Sequence, residues 1–223
     1  MSARDRILTK IRRQVAEGPQ EERVATVSAR LTSTTQTAPR PAQSKPEQAA
    51  LLQQFEAKAI AADASVSHIA SFRDLPTALS NELRARNMGK MVRMGQDPAL
   101  ADLDWSGLEV SHGVGRIEEP ATLSVAPMAM AETGTLGLLS GPDNPVTLTF
   151  LGETHFVAVR AEDITPGLEE MWAKFRASGK DPRTINLVTG PSRSADIGQQ
   201  LQLGAHGPVA LHIFIVSDGA GAT

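Results

Sequence analysis

Cysteine and tyrosine are absent from this chain of 223 residues. Without cysteine, the chain itself cannot form disulfides, use a thiol nucleophile, or hold zinc or iron–sulfur clusters through thiolates, their usual ligands. Aromatic residues make up only 4% of the sequence, so aliphatic side chains must fill most of the core. No apolar run approaches the roughly 20 residues that span a bilayer, and no apolar segment follows the charged N-terminal residues, as a secretory signal would require. We therefore predict a cytoplasmic protein without a membrane span.

The charge of the chain is small but unevenly distributed. A formal net charge of −3 gives no reason to expect a nucleic-acid partner. Residues 1–45 contain nine Lys and Arg against four Asp and Glu, a balance of +5, so the remainder carries −8. The sequence has no His-Glu-x-x-His motif, no acidic calcium loop, no Gly-x-Ser-x-Gly elbow and no Walker loop. We therefore predict neither a bound metal nor a cofactor.

The first 45 residues are predicted to form an arm. Residues 3–16 have the spacing of a helix, with Ile7, Leu8, Ile11 and Val15 on one side and basic residues around them. Residues 17–45 show no sustained period, and residues 32–46, rich in Ser, Thr, Gln and Pro, are typical of an extended linker. A basic amphipathic helix can also dock on a membrane, but this apolar face is narrow and has no Trp or Phe. The helix is therefore expected to pack on its own domain, on a second copy or on a partner protein, which allows a homo-oligomer through the arm.

Residues 46–223 are predicted to form one α/β domain. Helical patterns alternate with short β-rich segments, as in sheets built from βαβ units. The predicted helices cover residues 46–62, 74–84 and 166–177. The predicted strands cover residues 66–70, 90–94, 108–111, 122–125, 128–131, 136–139, 155–159, 186–188 and 209–216, and residues 146–151 are predicted to be an edge or hairpin strand.

A short polar segment, Glu132-Thr133-Gly134-Thr135, separates two apolar runs. The pattern predicts two buried strands that meet at a tight turn. The turn would expose a carboxylate, two hydroxyls and, at Gly134, backbone without a side chain. Gly134 has no Cβ, so it permits positive φ and the close approach of a ligand. The alternative is a hairpin turn whose polar residues satisfy their own backbone.

A second candidate site begins where the strand at residues 186–188 ends. Gly190, Ser192 and Arg193 follow this strand, and a helix-like stretch covers residues 195–201. The unpaired N–H groups of a helix N-terminus suit anions, and the planar guanidinium of Arg193 matches a carboxylate or phosphate. The alternative is that Ser192 or Ser194 caps the helix and Arg193 pairs with Asp196 or another surface acid.

Two histidines are candidates for the same site. His206 lies between glycines in the loop before the last strand, where it would be exposed to a ligand and could titrate near neutrality. A hydrogen bond that only fixes the loop is the alternative. His155 opens the strand at residues 155–159, and its pattern suits a half-buried structural histidine slightly better than a ligand-binding one.

Four motifs occur in an order and spacing that resemble the lactate-utilisation protein C family, whose domain is the LUD domain. They are residues 131–136, 155–159, 190–197 and 204–208, and the helix at residues 6–13 resembles the N-terminus of the same family. The resemblance covers nearly the whole chain and is most specific over residues 121–216.

The resemblance implies a fold and a biological setting. The fold would be a three-layer α/β/α sandwich similar to the sugar-phosphate isomerase and CoA-transferase-like superfamily. Members are encoded beside iron–sulfur oxidoreductase subunits, and the set is implicated in the oxidation of L-lactate to pyruvate. The family's C member lacks cluster cysteines, which agrees with the sequence here. The chain is then expected to be an accessory subunit that binds a small organic acid or phosphorylated ligand and docks to those partners.

The resemblance also assigns candidate residues. Glu132 and His206 are the candidate proton-transfer or catalytic residues, and the expected ligand-binding residues are Thr133, Gly134, Thr135, His155, Gly190, Ser192, Arg193, Asp196 and Gly207. Two other functions remain open. One is a stand-alone isomerase or acyl-transferase-like enzyme in which Glu132 attacks an acyl group. The other is a structural or regulatory partner that acts through the basic arm.

Overall fold

The computed structural model describes residues 2–15, 19–33, 41–44, 50–194, 202–204 and 206–217. The chain divides into two compact units, residues 1–40 and residues 41–223. The predicted boundary after residue 45 stays a prediction. The predicted linker falls largely on residues outside the described ranges.

The described residues of the N-terminal unit form two helices, α1 (Ala3–Val15) and α2 (Gln20–Thr32). The first confirms the predicted helix. The prediction that residues 17–45 lack a regular element is wrong for α2. Val24, Val27 and Leu31 repeat at spacings of three and four residues, which is helical, and all three side chains are exposed.

The second unit is built on a six-stranded parallel sheet. Its strands are β1 (Ser65–Ile69), β2 (Met91–Met94), β3 (Glu109–His112), β4 (Ala121–Ala126), β7 (Thr154–Arg160) and β12 (Ala210–Val216). They lie in the order β1, β12, β7, β4, β2, β3, and every neighbouring pair is parallel. The central strands are apolar at nearly every position because both faces of a parallel sheet are covered.

Alternate residues of the central strands enter two different cores. On β12, Ile213 and Ile215 face a core that includes helix α3 (Leu51–Ala61), whereas Phe214 and Val216 face one that includes helices α4 (Leu75–Ala85) and α5 (Pro98–Ala101). The period of two residues along a strand produces this division. The predicted α/β class with a mostly parallel central sheet is confirmed.

A second, four-stranded sheet lies with α3 on one side of the main sheet. It contains β5 (Met128–Met130), β6 (Thr135–Leu139), β8 (Ile164–Thr165) and β9 (Ile185–Val188), in the order β8, β5, β6, β9. The predicted hairpin is confirmed, because β5 and β6 pair antiparallel around the turn at residues 131–134. Helix α7 (Leu168–Ala177) packs on this sheet through Met171.

Residues 146–151 form helix α6 (Val146–Leu151), so the predicted edge or hairpin strand is wrong. Pro145 occupies the position before the first helical residue, where its fixed φ and missing N–H are tolerated. Leu148 and Thr149 are buried, whereas Phe150 and Leu151 are each 39% exposed. Adjacent rather than alternate residues are therefore buried, as in a helix and unlike a strand. Two further strands, β10 (Arg193–Ser194) and β11 (Gln202–Leu203), form a short antiparallel pair.

Candidate functional site

A cavity of about 300 Å³ opens where β9 ends and where β7 and β12 begin. Its walls are formed by the loop after β9, the loop before β12, and the end of α6. The lining residues are Thr149, Phe150, His155, Leu187, Val188, Thr189, Gly190, Pro191, Ser192, Arg193, His206, Gly207, Pro208 and Leu211. This volume is at the lower end for small-molecule sites.

The loop after β9 turns sharply at Gly190 because helix α3 ends against it. Gly190 has a φ of 71°, and a Cβ at this position would lie 1.9 Å from the carbonyl oxygen of Ala62. Only glycine combines this backbone conformation with so close an approach. The turn directs the chain into Ser192 and Arg193 beside the cavity.

Backbone hydrogen bonds join the two loops that line the cavity. The Ser192 N–H donates to the Pro208 carbonyl at 2.9 Å, and the Gly204 N–H donates to the Ser192 carbonyl at 3.1 Å. A Cβ at Gly207 would lie 3.1 Å from the Cβ of Ser192. The structure thus places five predicted site residues together in one wall: Gly190, Ser192, Arg193, His206 and Gly207.

Arg193 forms an ion pair with Asp63, the residue that follows the C-terminal end of α3. The side chains are 42% and 49% exposed, so solvent screens their attraction and the pair contributes little stability. A ligand carboxylate could therefore replace Asp63 at little cost. A surface acid was predicted as an alternative partner of Arg193, and the structure identifies it as Asp63. Asp196, the other proposed partner, lies outside the described residues, as does the helix predicted over residues 195–201.

Two buried polar atoms belong to residues that line the cavity. His155 and Thr149 are each 1% exposed. Neither His155 Nδ1 nor Thr149 Oγ1 has a hydrogen-bond partner within the part of the chain that the structure describes. A buried polar atom without a partner is costly, and neither of these two atoms is accessible from the cavity. Burial lowers the pKa of His155 to about 3, so its ring is neutral at physiological pH.

A chain of hydroxyls connects the Glu132–Thr135 turn to the cavity. Thr133 Oγ1 and Thr135 Oγ1 are 2.6 Å apart, and Thr135 Oγ1 and Thr189 Oγ1 are also 2.6 Å apart. Thr135 is buried, whereas Thr189 lines the cavity. The turn therefore supports the first residue of the loop after β9.

Gly134 has a φ of 68°, as its position in the turn predicts, but helix α3 approaches it. A Cβ at Gly134 would lie 2.3 Å from the backbone nitrogen of Ala59. The close approach that Gly134 permits is thus used by protein backbone, where the sequence analysis expected a ligand.

Glu132 lies on the other side of this turn. Its N–H donates to the Pro166 carbonyl at 3.0 Å, beyond the end of β8. None of the four turn residues is part of the cavity lining. A Cβ at Gly167, the residue before α7, would lie 3.0 Å from Glu132 Oε2, so the carboxylate lies beside the start of α7. The structure therefore does not bring Glu132 together with Arg193, and its assignment as a catalytic residue stays a prediction.

A second cavity of about 430 Å³ adjoins the first and shares Pro191 and Leu211 with it. Asp63, Ser65 and Arg86 also line it. Arg86 Nη2 donates to Ser65 Oγ at 2.7 Å, and Ser65 Oγ lies 2.8 Å from Nδ1 of the buried His212. This cluster was not predicted from the sequence. Its only signal was a histidine within the otherwise apolar run of β12.

Among the residues that the structure describes, no group of three or more His, Asp and Glu side chains could hold a metal ion. None of the described helices is long and apolar enough to cross a membrane.

The fold and the cavity define the class of this protein. It is an α/β protein with a cavity of small-molecule size at the ends of its strands. Residues 120–216 match the family described as the LUD domain. This match confirms the predicted resemblance over the segment that contains β4 to β12 and the cavity.

Curated relatives and a solved structure agree with this match. The chain is 35% identical over 91 residues to lactate utilization protein C of Anoxybacillus flavithermus, covering 41% of each protein. It is 32% identical over 121 residues to lactate utilization protein C of Bacillus licheniformis, covering 52% of this chain and 50% of that protein. A crystal structure of a DUF162 family protein from Deinococcus radiodurans superposes with a TM-score of 0.60 at 23% identity, covering 77% of this chain and 99% of that one.

The alignments span about half or less of the length of these two curated relatives. The similarity to the solved structure extends over most of the chain and supports the fold.

Proposed function

We propose that this chain is a cytoplasmic lactate utilization protein that binds a small organic acid or a phosphorylated ligand in the cavity between the loop after β9 and the loop before β12. It would serve as the accessory subunit, without a cluster of its own, of a system that oxidises L-lactate to pyruvate. The main observation in support of this proposal is that one cavity is lined by Arg193, Ser192, His206, His155 and Thr149.

The chemistry of the lining suits an anion. The guanidinium of Arg193 offers charge and several N–H donors, and its exposed partner Asp63 can be displaced. Ser192 contributes a hydroxyl, and the buried Thr149 Oγ1 lacks a partner in the described part of the chain. The neutral ring of His155 adds no second charge to the cavity. The guanidinium of Arg193 beside these polar groups matches a small monoanion.

Isothermal titration calorimetry of the full chain with L-lactate and with inorganic phosphate tests this binding. At least one probe should bind, and Arg193→Gln should weaken its binding about ten-fold or more, since a hydrogen bond to a charged group is lost. Arg183→Gln, at an exposed position outside the cavity lining, is the matched control and should bind normally. If neither probe binds, or if both variants behave alike, this proposal is wrong.

The proposed partners are the iron–sulfur oxidoreductase subunits of lactate oxidation. The chain has no cysteine with which to hold a cluster, so electron transfer would occur in those partners. Purification of the tagged full chain from a native lysate, followed by iron analysis and visible absorbance, tests the association. Recovery of a brown, iron-containing companion in fixed ratio supports it, whereas iron-free recovery of the chain alone contradicts it.

The basic N-terminal unit is the candidate surface for association of two copies. Ile7 and Ile11 of α1 are 60% and 50% exposed. The −8 balance of residues 46–223 complements the +5 balance of residues 1–45. Sedimentation of the full chain should show a dimer that dissociates in Ile11→Glu. A monomeric wild type would exclude this association.

A further inference from the structure

The second cavity, of about 430 Å³, is lined by one charge of each sign and by apolar side chains. Among the residues that the structure describes, the charged lining residues are Asp63 and Arg86, and Ser65 adds a hydroxyl. The other lining residues are Ile60, Ala64, Pro191, Val209, Ala210 and Leu211. The formal charge of the lining is therefore zero, and the volume lies within the range of small-molecule sites.

The guanidinium of Arg86 is held in place and keeps an accessible donor. Its Nη2 donates to Ser65 Oγ at 2.7 Å and lies 3.4 Å from Nδ1 of His212. Nε is buried and lies 3.5 Å from Glu82 Oε2, whereas Nη1 keeps accessible surface and has no hydrogen bond to a described residue. Burial lowers the pKa of His212 to about 4, so its neutral ring adds no second positive charge. Nη1 can therefore donate to a carboxylate in the cavity.

Asp63 presents a carboxylate at the C-terminal end of α3. Its backbone is fixed with a φ of 65°, because its N–H donates to the Ile60 carbonyl at 2.9 Å. The side chain is 49% exposed, and its ion pair with Arg193 is made through Oδ2, so Oδ1 can accept from a second donor. The negative end of the helix dipole also favours a cation at this position.

The two charged groups lie close enough to bind one small molecule. Arg86 is hydrogen-bonded to Ser65, and Ser65 is only two residues after Asp63. The Cα atoms of Asp63 and Ser65 are at most about 7 Å apart. A ligand that carries a carboxylate and an ammonium on neighbouring atoms can therefore reach both side chains.

Two large apolar side chains that line this cavity are exposed. Ile60 is 52% exposed and Val209 is 44% exposed. Val209 is held in place, because its N–H donates to the Glu153 carbonyl at 2.8 Å and a Cβ at Gly204 would lie 2.5 Å from its Cγ2. An aliphatic group in the cavity would remove this apolar surface from water, which favours binding.

We propose that the second cavity binds an aliphatic α-amino acid, with its carboxylate on Arg86, its ammonium on Asp63 and its side chain against Ile60 and Val209. Such a ligand carries both charges and is neutral overall, as the lining is. An acid or an amine of the same shape would leave Asp63 or Arg86 without an opposite charge. The site is separate from the cavity of the proposed function, so either can fail without the other.

Calorimetry of the full chain with three ligands of similar shape tests this site. L-leucine should bind. 4-Methylpentanoate, which lacks the ammonium, and 3-methylbutylamine, which lacks the carboxylate, should each bind about ten-fold more weakly or less, since each loses a hydrogen bond to a charged group. L-alanine should also bind about ten-fold more weakly, because it buries less apolar surface. Failure of L-leucine to bind, or an equal affinity for any of the other three, overturns the proposal.

Variants of the two charged residues should affect different ligands. Arg86→Gln should weaken L-leucine binding about ten-fold or more and leave 3-methylbutylamine unchanged. Asp63→Asn should weaken L-leucine similarly and leave 4-methylpentanoate unchanged. Arg84→Gln, at an exposed position near the end of the same helix and outside the lining, is the matched control and should bind normally. Equal loss of all three ligands in both cavity variants, or a loss in Arg84→Gln, overturns the assignment.

An amide chemical-shift map of the wild type titrated with L-leucine locates the ligand without any variant. Saturable shifts should appear at Ala64, Ser65 and Ala210, which line the second cavity alone. Thr189 and Gly207, which line only the first cavity, should not shift. Shifts at Thr189 and Gly207 with none at Ala64 and Ser65 would overturn the site while leaving ligand binding in the first cavity intact.

Discussion

Arg193 and Asp63 form an ion pair across the boundary between two neighbouring cavities, and each residue lines one of them. Pro191 and Leu211 line both cavities. The guanidinium expected to bind an anion is thus already paired with a carboxylate of the chain. A ligand must compete with Asp63 for the same donors.

Asp63→Asn is expected to tighten anion binding about two- to five-fold. An exposed ion pair contributes up to about 1 kcal/mol, and that contribution no longer opposes the ligand once Asp63 is neutral. Calorimetric titration with L-lactate measures the change. Asp102→Asn, an exposed acid after α5, should leave the affinity at its wild-type value. Weaker binding in Asp63→Asn would show that Asp63 assists binding and does not compete with it.

Gly190→Ala and Gly134→Ala are expected to destabilise the fold more than Gly179→Ala does. All three glycines have φ between 64° and 71°, so each alanine is strained by about 1–2 kcal/mol. A Cβ would also meet backbone at 1.9 Å at Gly190 and 2.3 Å at Gly134, but nothing within 4 Å at Gly179. Urea unfolding measures the free energies. Equal losses at all three positions would contradict the close packing against α3.

Glu132→Gln is expected to change the affinity for L-lactate by less than about two-fold. The carboxylate lies beside Gly167 at the start of α7 and is not part of the cavity lining. Calorimetric titration of Glu132→Gln and of Arg193→Gln with L-lactate compares the two affinities. A ten-fold loss in Glu132→Gln would show that the two loops share one ligand after all. A covalent adduct with acyl-CoA that Glu132→Gln abolishes would instead support the acyl-transferase alternative.

Stability is expected to fall as the pH is lowered from about 6.5 to 4. Burial lowers the pKa of His155 to about 3 and that of His212 to about 4, where Glu82 opposes the shift and Arg86 adds to it. Unfolded histidine titrates near 6.5, so in this window the unfolded state binds protons that the folded state does not. Each histidine then costs up to about 1.4 kcal/mol per pH unit.

Urea unfolding at several pH values checks this dependence. His155→Gln should reduce the change in unfolding free energy per pH unit by the contribution of one histidine. His212→Gln should do the same. Comparison with these variants separates the contribution of the histidines to the pH dependence from that of carboxylates, which titrate at the lower end of this pH range. An unchanged slope in both variants would contradict the burial of neutral histidines.

The sequence predicted most of the fold because long apolar runs and alternating patterns dominate it. The strand at residues 209–216 and the hairpin around residues 131–134 were predicted nearly to the residue. Residues 146–151 were misassigned because their alternation suits a strand, whereas Pro145 and contacts distant in sequence favour a helix. Helix α2 was missed because its apolar residues are few and exposed.

The site was predicted only where the chain itself carries a local pattern. Gly190, Arg193 and His206 come from motifs, and the structure places them around one cavity. Asp63 and Thr149 could not be found from spacing, because they lie after α3 and within α6 and reach the site only through tertiary packing. For the same reason, the sequence could not show that the Glu132 turn packs against α3.

An amide chemical-shift map of the full chain titrated with L-lactate tests directly whether the ligand binds in the cavity between the loop after β9 and the loop before β12. Saturable shifts are expected at Thr189, Gly190, Ser192 and Gly207, with much smaller shifts at Glu132 and Thr133, which lie outside the cavity lining. Saturable shifts centred on Glu132 and Thr133, with none at Gly190 and Gly207, would contradict binding in this cavity.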